Sequence, residues 1–104
     1  MVKCICIDDS NKPKEIPKRL WVEKGKEYHI THIYFHNMQF ISGCELKEKR
    51  LTKYCYPFES YKLSRFGFTH EALKQLIELM KACSELNEID IKEMILQEFT
   101  FIKN

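Results

Sequence analysis

The 104-residue sequence predicts an α+β protein, with a small curled sheet or barrel over residues 1–68 and a C-terminal helical extension over residues 69–104. Three observations predict it. Short runs of β-branched and aromatic residues, separated by turn clusters, fill the first two-thirds of the chain. After Thr69 the apolar residues recur at helical spacing instead. Hydrophobic residues make up 44% of the chain, with only three Gly and three Pro, so a folded core is affordable and disorder is not expected.

Val2 to Ile7 is β-branched and cysteine-rich, which suits a short buried strand. Asp8 to Pro13 is a turn cluster, and Pro13 and Pro17 remove backbone donors, so loop continues to about Lys18. Glu27 to His36 is the clearest strand. Strict alternation puts Tyr28, Ile30, His32, Tyr34 and His36 on one face and His29, Thr31, Ile33 and Phe35 on the other. Both faces are partly apolar, which predicts a central strand covered on both sides. Asn37-Met38-Gln39 then reads as a hairpin turn and Phe40–Leu46 as the return strand, with Gly43 at a bulge. An aromatic-rich loop from Tyr54 precedes a last strand near Lys62–Phe68.

Thr69 is placed to cap a helix over about residues 70–85, whose apolar stripe is Leu73, Leu76, Ile77, Met80 and Cys83. Asn87 or Asp90 caps a second helix that buries Ile91, Met94, Ile95 and Phe99. The extension is therefore a helical hairpin or two-helix tail. Few strands in so short a body favour a closed or curled sheet, which hides edges.

Charge and cysteine narrow the function classes. The net charge is only +2, but residues 1–68 carry 13 Lys/Arg against 8 Asp/Glu, while residues 69–104 carry 4 against 7. A mildly basic body thus bears an acidic tail. No stretch approaches the roughly 20 apolar residues of a membrane span. The first apolar run stops at Asp8-Asp9, too early for a signal peptide. Five cysteines, an odd number, fit buried thiols in a reducing compartment, so a cytoplasmic location is expected.

Several residues carry a family resemblance. They are Cys6-Ile7-Asp8-Asp9-Ser10, Pro13, Glu15-Ile16-Pro17, Trp21-Val22, Gly25, Tyr28 and Ile30, then Gly43-Cys44-Glu45-Leu46, Arg65-Phe66 and the helix start Leu73-Lys74-Gln75-Leu76-Ile77. Over most of its length the chain resembles small SH3-like barrel proteins of unassigned function from Bacteroidetes and their phages and mobile elements. The resemblance implies a five-stranded SH3-like barrel near residues 1–68 and no particular chemistry. It departs from the pattern at Asn37-Met38-Gln39-Phe40-Ile41-Ser42, where comparable chains carry a glycine-rich hairpin tip.

No P-loop, G-x-S-x-G or H-E-x-x-H is present, and no catalytic function or cofactor is expected. His29, His32 and His36 do not make a metal site on a strand. His29 points away, and the other two lie roughly 13 Å apart. No metal is expected, although His32, Cys44 and Cys55 could meet through the fold. The basic run Lys47, Lys49, Arg50 and Lys53, followed by Tyr54, Tyr56, Phe58 and Tyr61, is the pattern that can hold phosphates and stack bases. Glu45, Glu48 and Glu59 interrupt it.

The favoured reading is protein binding. Tyr34, Tyr54, Tyr56, Phe58 and Tyr61 would line an aromatic groove, with Trp21 a further candidate. Phe99, Phe101 and Ile102 make an apolar tail that either packs on the barrel or meets a partner, including a second copy in a homodimer through residues 90–102. The phage and mobile-element association implied by the resemblance extends this to a modulator or inhibitor of a host factor, such as a defence nuclease.

Overall fold

A computed structural model describes residues 1–37 and 39–102; Met38 of the expected hairpin turn, and Lys103 and Asn104 of the tail, lie outside them. The strands are β1 (Val2–Cys6), β2 (Glu27–His36), β3 (Phe40–Leu46) and β4 (Phe66–Phe68). Helices α1 (Leu73–Cys83) and α2 (Glu88–Glu98) follow, then the two-residue strand β5 (Thr100–Phe101). The fold class is α+β, a five-stranded sheet curled into a half-barrel with a C-terminal two-helix segment.

The sheet order is β3-β2-β1-β4-β5, antiparallel except for the parallel pair β4–β5. Tyr61 and Cys44 exchange backbone hydrogen bonds of 2.9 and 3.0 Å, so the chain just before β4 lies along the outer edge of β3. Phe66, five residues on, pairs with Cys6 of β1. In a flat sheet these positions would be four strand spacings apart, about 19 Å. Five extended residues reach at most about 18 Å, and three of these form a 3-10 turn, Leu63–Arg65. The sheet must therefore curl.

Two bulges set which side chains face inward. In β2, Thr31 is the extra residue between the pairs Ile30–Leu46 and His32–Glu45; in β3, Ser42 is extra between Tyr34–Gly43 and Phe35–Ile41. A bulge reverses the alternation that follows it. Tyr28 and Ile30 are buried as expected, but Ile33 then takes the buried side, and Tyr34 and His36 are exposed. The uninterrupted alternation expected for β2 is corrected accordingly. The bulge expected at Gly43 falls at its neighbour Ser42. Of the expected last strand only Phe66–Phe68 forms a strand, because Leu63–Arg65 makes the crossing turn.

The helices fall where their spacing places them. A 3-10 turn, His70–Ala72, leads into α1, and Thr69 precedes it without a side-chain capping bond. Asn87 caps α2, its side chain accepting the Asp90 N–H at 2.9 Å. Leu76 and Met80 of α1 and Ile91 and Ile95 of α2 are fully buried, in one cluster with Ile30 and Phe66 of the sheet. Leu73, expected in the α1 stripe, is 39% exposed. After α2 the chain returns to the sheet, where the Ile102 N–H donates to Phe68 O at 2.8 Å. Among the described residues no helix is long and apolar enough to cross a membrane.

Candidate binding surface

The β2–β3 hairpin and the loop that follows it build one groove. Tyr34 pairs with Gly43, which makes Glu45, two residues further along β3, its diagonal neighbour. The Tyr34 hydroxyl donates to Glu45 Oε2 at 2.7 Å, and the Arg50 guanidinium donates to Glu45 Oε1 at 2.7 Å. One carboxylate thus orders both a tyrosine and an arginine. The hydrogen bond to Glu45, aided by desolvation and the nearby negative charge, pushes the Tyr34 hydroxyl up to about 12. At neutral pH Tyr34 is therefore an uncharged donor.

The groove encloses about 370 Å³, with Leu51, Lys53, Phe58 and Glu59 completing its walls. Its loop is anchored by buried Cys55, whose N–H donates to Thr52 O and whose carbonyl accepts the Phe58 N–H, both at 2.9 Å. From this anchor Tyr54 and Tyr56 stand out, 82% and 77% exposed. The Lys53 ammonium lies 5.4 Å from the centre of the Tyr54 ring, within cation–π range. Glu45 and Glu59 balance Arg50 and Lys53, so the groove is polar and close to neutral.

The expected surface is thus divided. Tyr34, Arg50, Lys53 and Phe58 line the groove, with Tyr54 and Tyr56 beside it. Lys47 is exposed, whereas Lys49 is half-buried and its ammonium donates to Arg19 O at 2.8 Å. Tyr61 is in the core, its hydroxyl against Leu20 O and Lys49 O. Trp21 is in the core beside it, donating to Asp9 O at 2.7 Å. In the tail, Phe99 is buried against Phe68 with ring centres 5.2 Å apart. Phe101 is half-buried and stacked on His70 at 5.1 Å, and Ile102 is half-buried above Gly67.

Two residues matter more than the sequence pattern indicated. Glu45 figures there only as an interruption of the basic run, yet it is the hub of the groove; hairpin register was the signal that could have found it. Arg65 is buried, donates to Asp8 O and Ser10 O at 3.2 and 2.8 Å, and stacks 4.6 Å from the Trp21 ring. It holds the 7–11 loop against the sheet.

Three thiols, Cys4, Cys6 and Cys44, are held in their unreactive protonated form by burial. Burial pushes Cys4 up to about 12 and raises Cys44 and Cys6 as well. Cys83 is half-buried, its sulfur 3.5 Å from His32 Nδ1. Among the described residues no three His, Cys, Asp or Glu side chains come together as a metal-ligand set, so His32, Cys44 and Cys55 are not gathered. No family model matches the chain, and no curated protein or solved structure matches it.

Proposed function

We propose that this is a small, non-catalytic, cytoplasmic interaction module, an SH3-like barrel with a helical extension, that binds another protein through the Tyr34–Arg50–Phe58 groove. The SH3-like reading is supported by the order of the four antiparallel partners of the curled sheet and by the single 3-10 turn that carries the chain from the β3 edge to β4. The observation that carries the binding reading is the pair of nearly fully exposed tyrosines, Tyr54 and Tyr56, beside a neutral polar groove. Exposed tyrosines with an anchored backbone give large contact area for little lost freedom, which is why Tyr is enriched at binding hot spots. The resemblance to phage and mobile-element proteins makes modulation or inhibition of a host factor the role this module fits.

Nucleic-acid binding is the second reading, supported by Lys53 beside the Tyr54 ring. It is weakened where Glu45 neutralises Arg50 and Lys49 is tied to Arg19.

The test uses the protein as bait in lysate of the host cell, beside a Tyr54→Ser/Tyr56→Ser variant. Wild type should retain a stoichiometric protein that the variant loses. No such protein, or one retained equally by both, overturns the reading. A salt-sensitive gel shift with single-stranded oligonucleotides, abolished by Lys49→Glu/Arg50→Glu, moves the assignment to nucleic acid.

A further inference from the structure

Helix α2 carries large apolar side chains on two opposite sides. Ile91, Met94 and Ile95 face the core. On the other side Ile89 and Leu96 are 72% and 82% exposed, one on each side of the exposed pair Lys92 and Glu93. These four stand at i, i+3, i+4 and i+7, a stripe about 100° wide pointing away from the buried face. Two large apolar side chains this exposed, opposite the core face and flanking a Lys–Glu pair, give α2 a second surface that a partner can cover. Next to this outer stripe, Leu96 also borders an apolar depression of about 260 Å³ with Leu73 and Phe101.

The order of residues in the stripe says what covers it. It reads Ile89, Lys92, Glu93, Leu96. A two-fold axis across the helix between Lys92 and Glu93 places Ile89 opposite the partner's Leu96 and Lys92 opposite the partner's Glu93. Both pairings occur twice, as an isologous contact requires. Neither Lys92 nor Glu93 forms an ion pair among the described residues.

We propose that the outer stripe of α2 is a homodimer surface, on which two copies pair antiparallel about Lys92–Glu93. The apolar pairs supply the attraction and the symmetric charge pairs fix the antiparallel register. An 11-residue helix is about 16 Å long. Its one face offers less than the roughly 800 Å² per partner of a standard stable interface. The dimer is therefore weak, and it forms as concentration rises. The stripe shares no residue with the Tyr34–Arg50 groove, so the proposal stands apart from the binding reading.

Sedimentation velocity from low micromolar to near-millimolar protein tests this, with circular dichroism checking the fold of each variant. Wild type should pass from monomer to dimer. Leu96→Glu, at an exposed position, should weaken association by at least about tenfold, the cost of losing a buried leucine contact. Lys92→Glu alone should weaken it through like-charge repulsion, and the swap Lys92→Glu/Glu93→Lys should restore it. A wild-type chain that stays monomeric throughout, leaving the stripe to a different partner, overturns the proposal. So does a dimer that survives Leu96→Glu or ignores the charge reversals.

Discussion

At Gly43 an added Cβ would collide with Ser60 Oγ and come within 3.1 Å of Tyr61 O. The serine hydroxyl could rotate aside, but its Cβ, 2.8 Å away, is fixed to the backbone, and the Tyr61 carbonyl is held by its bond from the Cys44 N–H. Glycine here lets the 60–61 segment lie against β3, and that contact starts the closure of the half-barrel. Gly43→Ala should therefore destabilise the fold by about 1–3 kcal/mol, the usual cost of overpacking. It would appear in urea unfolding as a lower midpoint at unchanged slope. An unchanged midpoint would mean that the segment is not seated on β3. Residue type alone places Gly43 at an irregular strand position but says nothing of Ser60. That neighbour is supplied by a chain crossing seventeen residues later. Glu45 was obscured in the same way: its sequence neighbours make it an acid in a basic run, and only the paired strand makes it the acceptor for Tyr34 and Arg50.

Among the elements, α2 depends most visibly on one local device. The Asn87 side chain accepts the Asp90 N–H at the helix start, and Glu88 and Asp90 add negative charge to the first turn. Asn87→Ala should cost about 1 kcal/mol, read as a lower thermal midpoint with increased amide exchange across the first turn of α2. Equal exchange in both proteins would show that tertiary packing alone sets that end. This cap was legible in the sequence, as were both helices, because capping and periodicity are local. The β2–β3 hairpin was legible for the same reason. The facing of β2 beyond Ile30 was not, since a bulge arises from two residues meeting one on the partner strand, and neither strand declares it alone. β5 was not legible either. Thr100 and Phe101 become a strand only because β4 has a free edge and Gly67 leaves room for Ile102.

For the molecule as a whole, the sheet buries many weak acids in their neutral form. Desolvation raises Cys4 from an ordinary value near 9 to about 12, and it also raises Cys6, Cys44, Tyr28 and Tyr61. The hydrogen bond to Glu45 brings Tyr34 to about 12. All six keep their protons in the folded protein above the pH at which the unfolded chain releases them. Over that interval the unfolded state binds fewer protons than the native state, so rising pH lowers stability. The stabilisation is complete below the ordinary thiol value near 9 and drains away as pH climbs towards about 12. On the acid side the sign reverses. Desolvation opposes it, yet hydrogen bonds from the His29 side chain and backbone hold the Glu48 carboxyl below its usual range. That contribution is present at neutral pH and is lost as pH falls through the depressed value. Stability should thus show a plateau with an alkaline edge set by the buried thiols and tyrosines. Urea unfolding across a pH series checks it, followed by the fluorescence of the single tryptophan, Trp21, which packs at 6.2 Å against Tyr61 inside the core. The midpoint should hold to about pH 9 and then fall steadily, and Tyr34→Phe should make the fall shallower by removing one of the six groups. A midpoint that stays level to about pH 12 would show that these groups are hydrated and ionise in the native state as freely as in the unfolded chain.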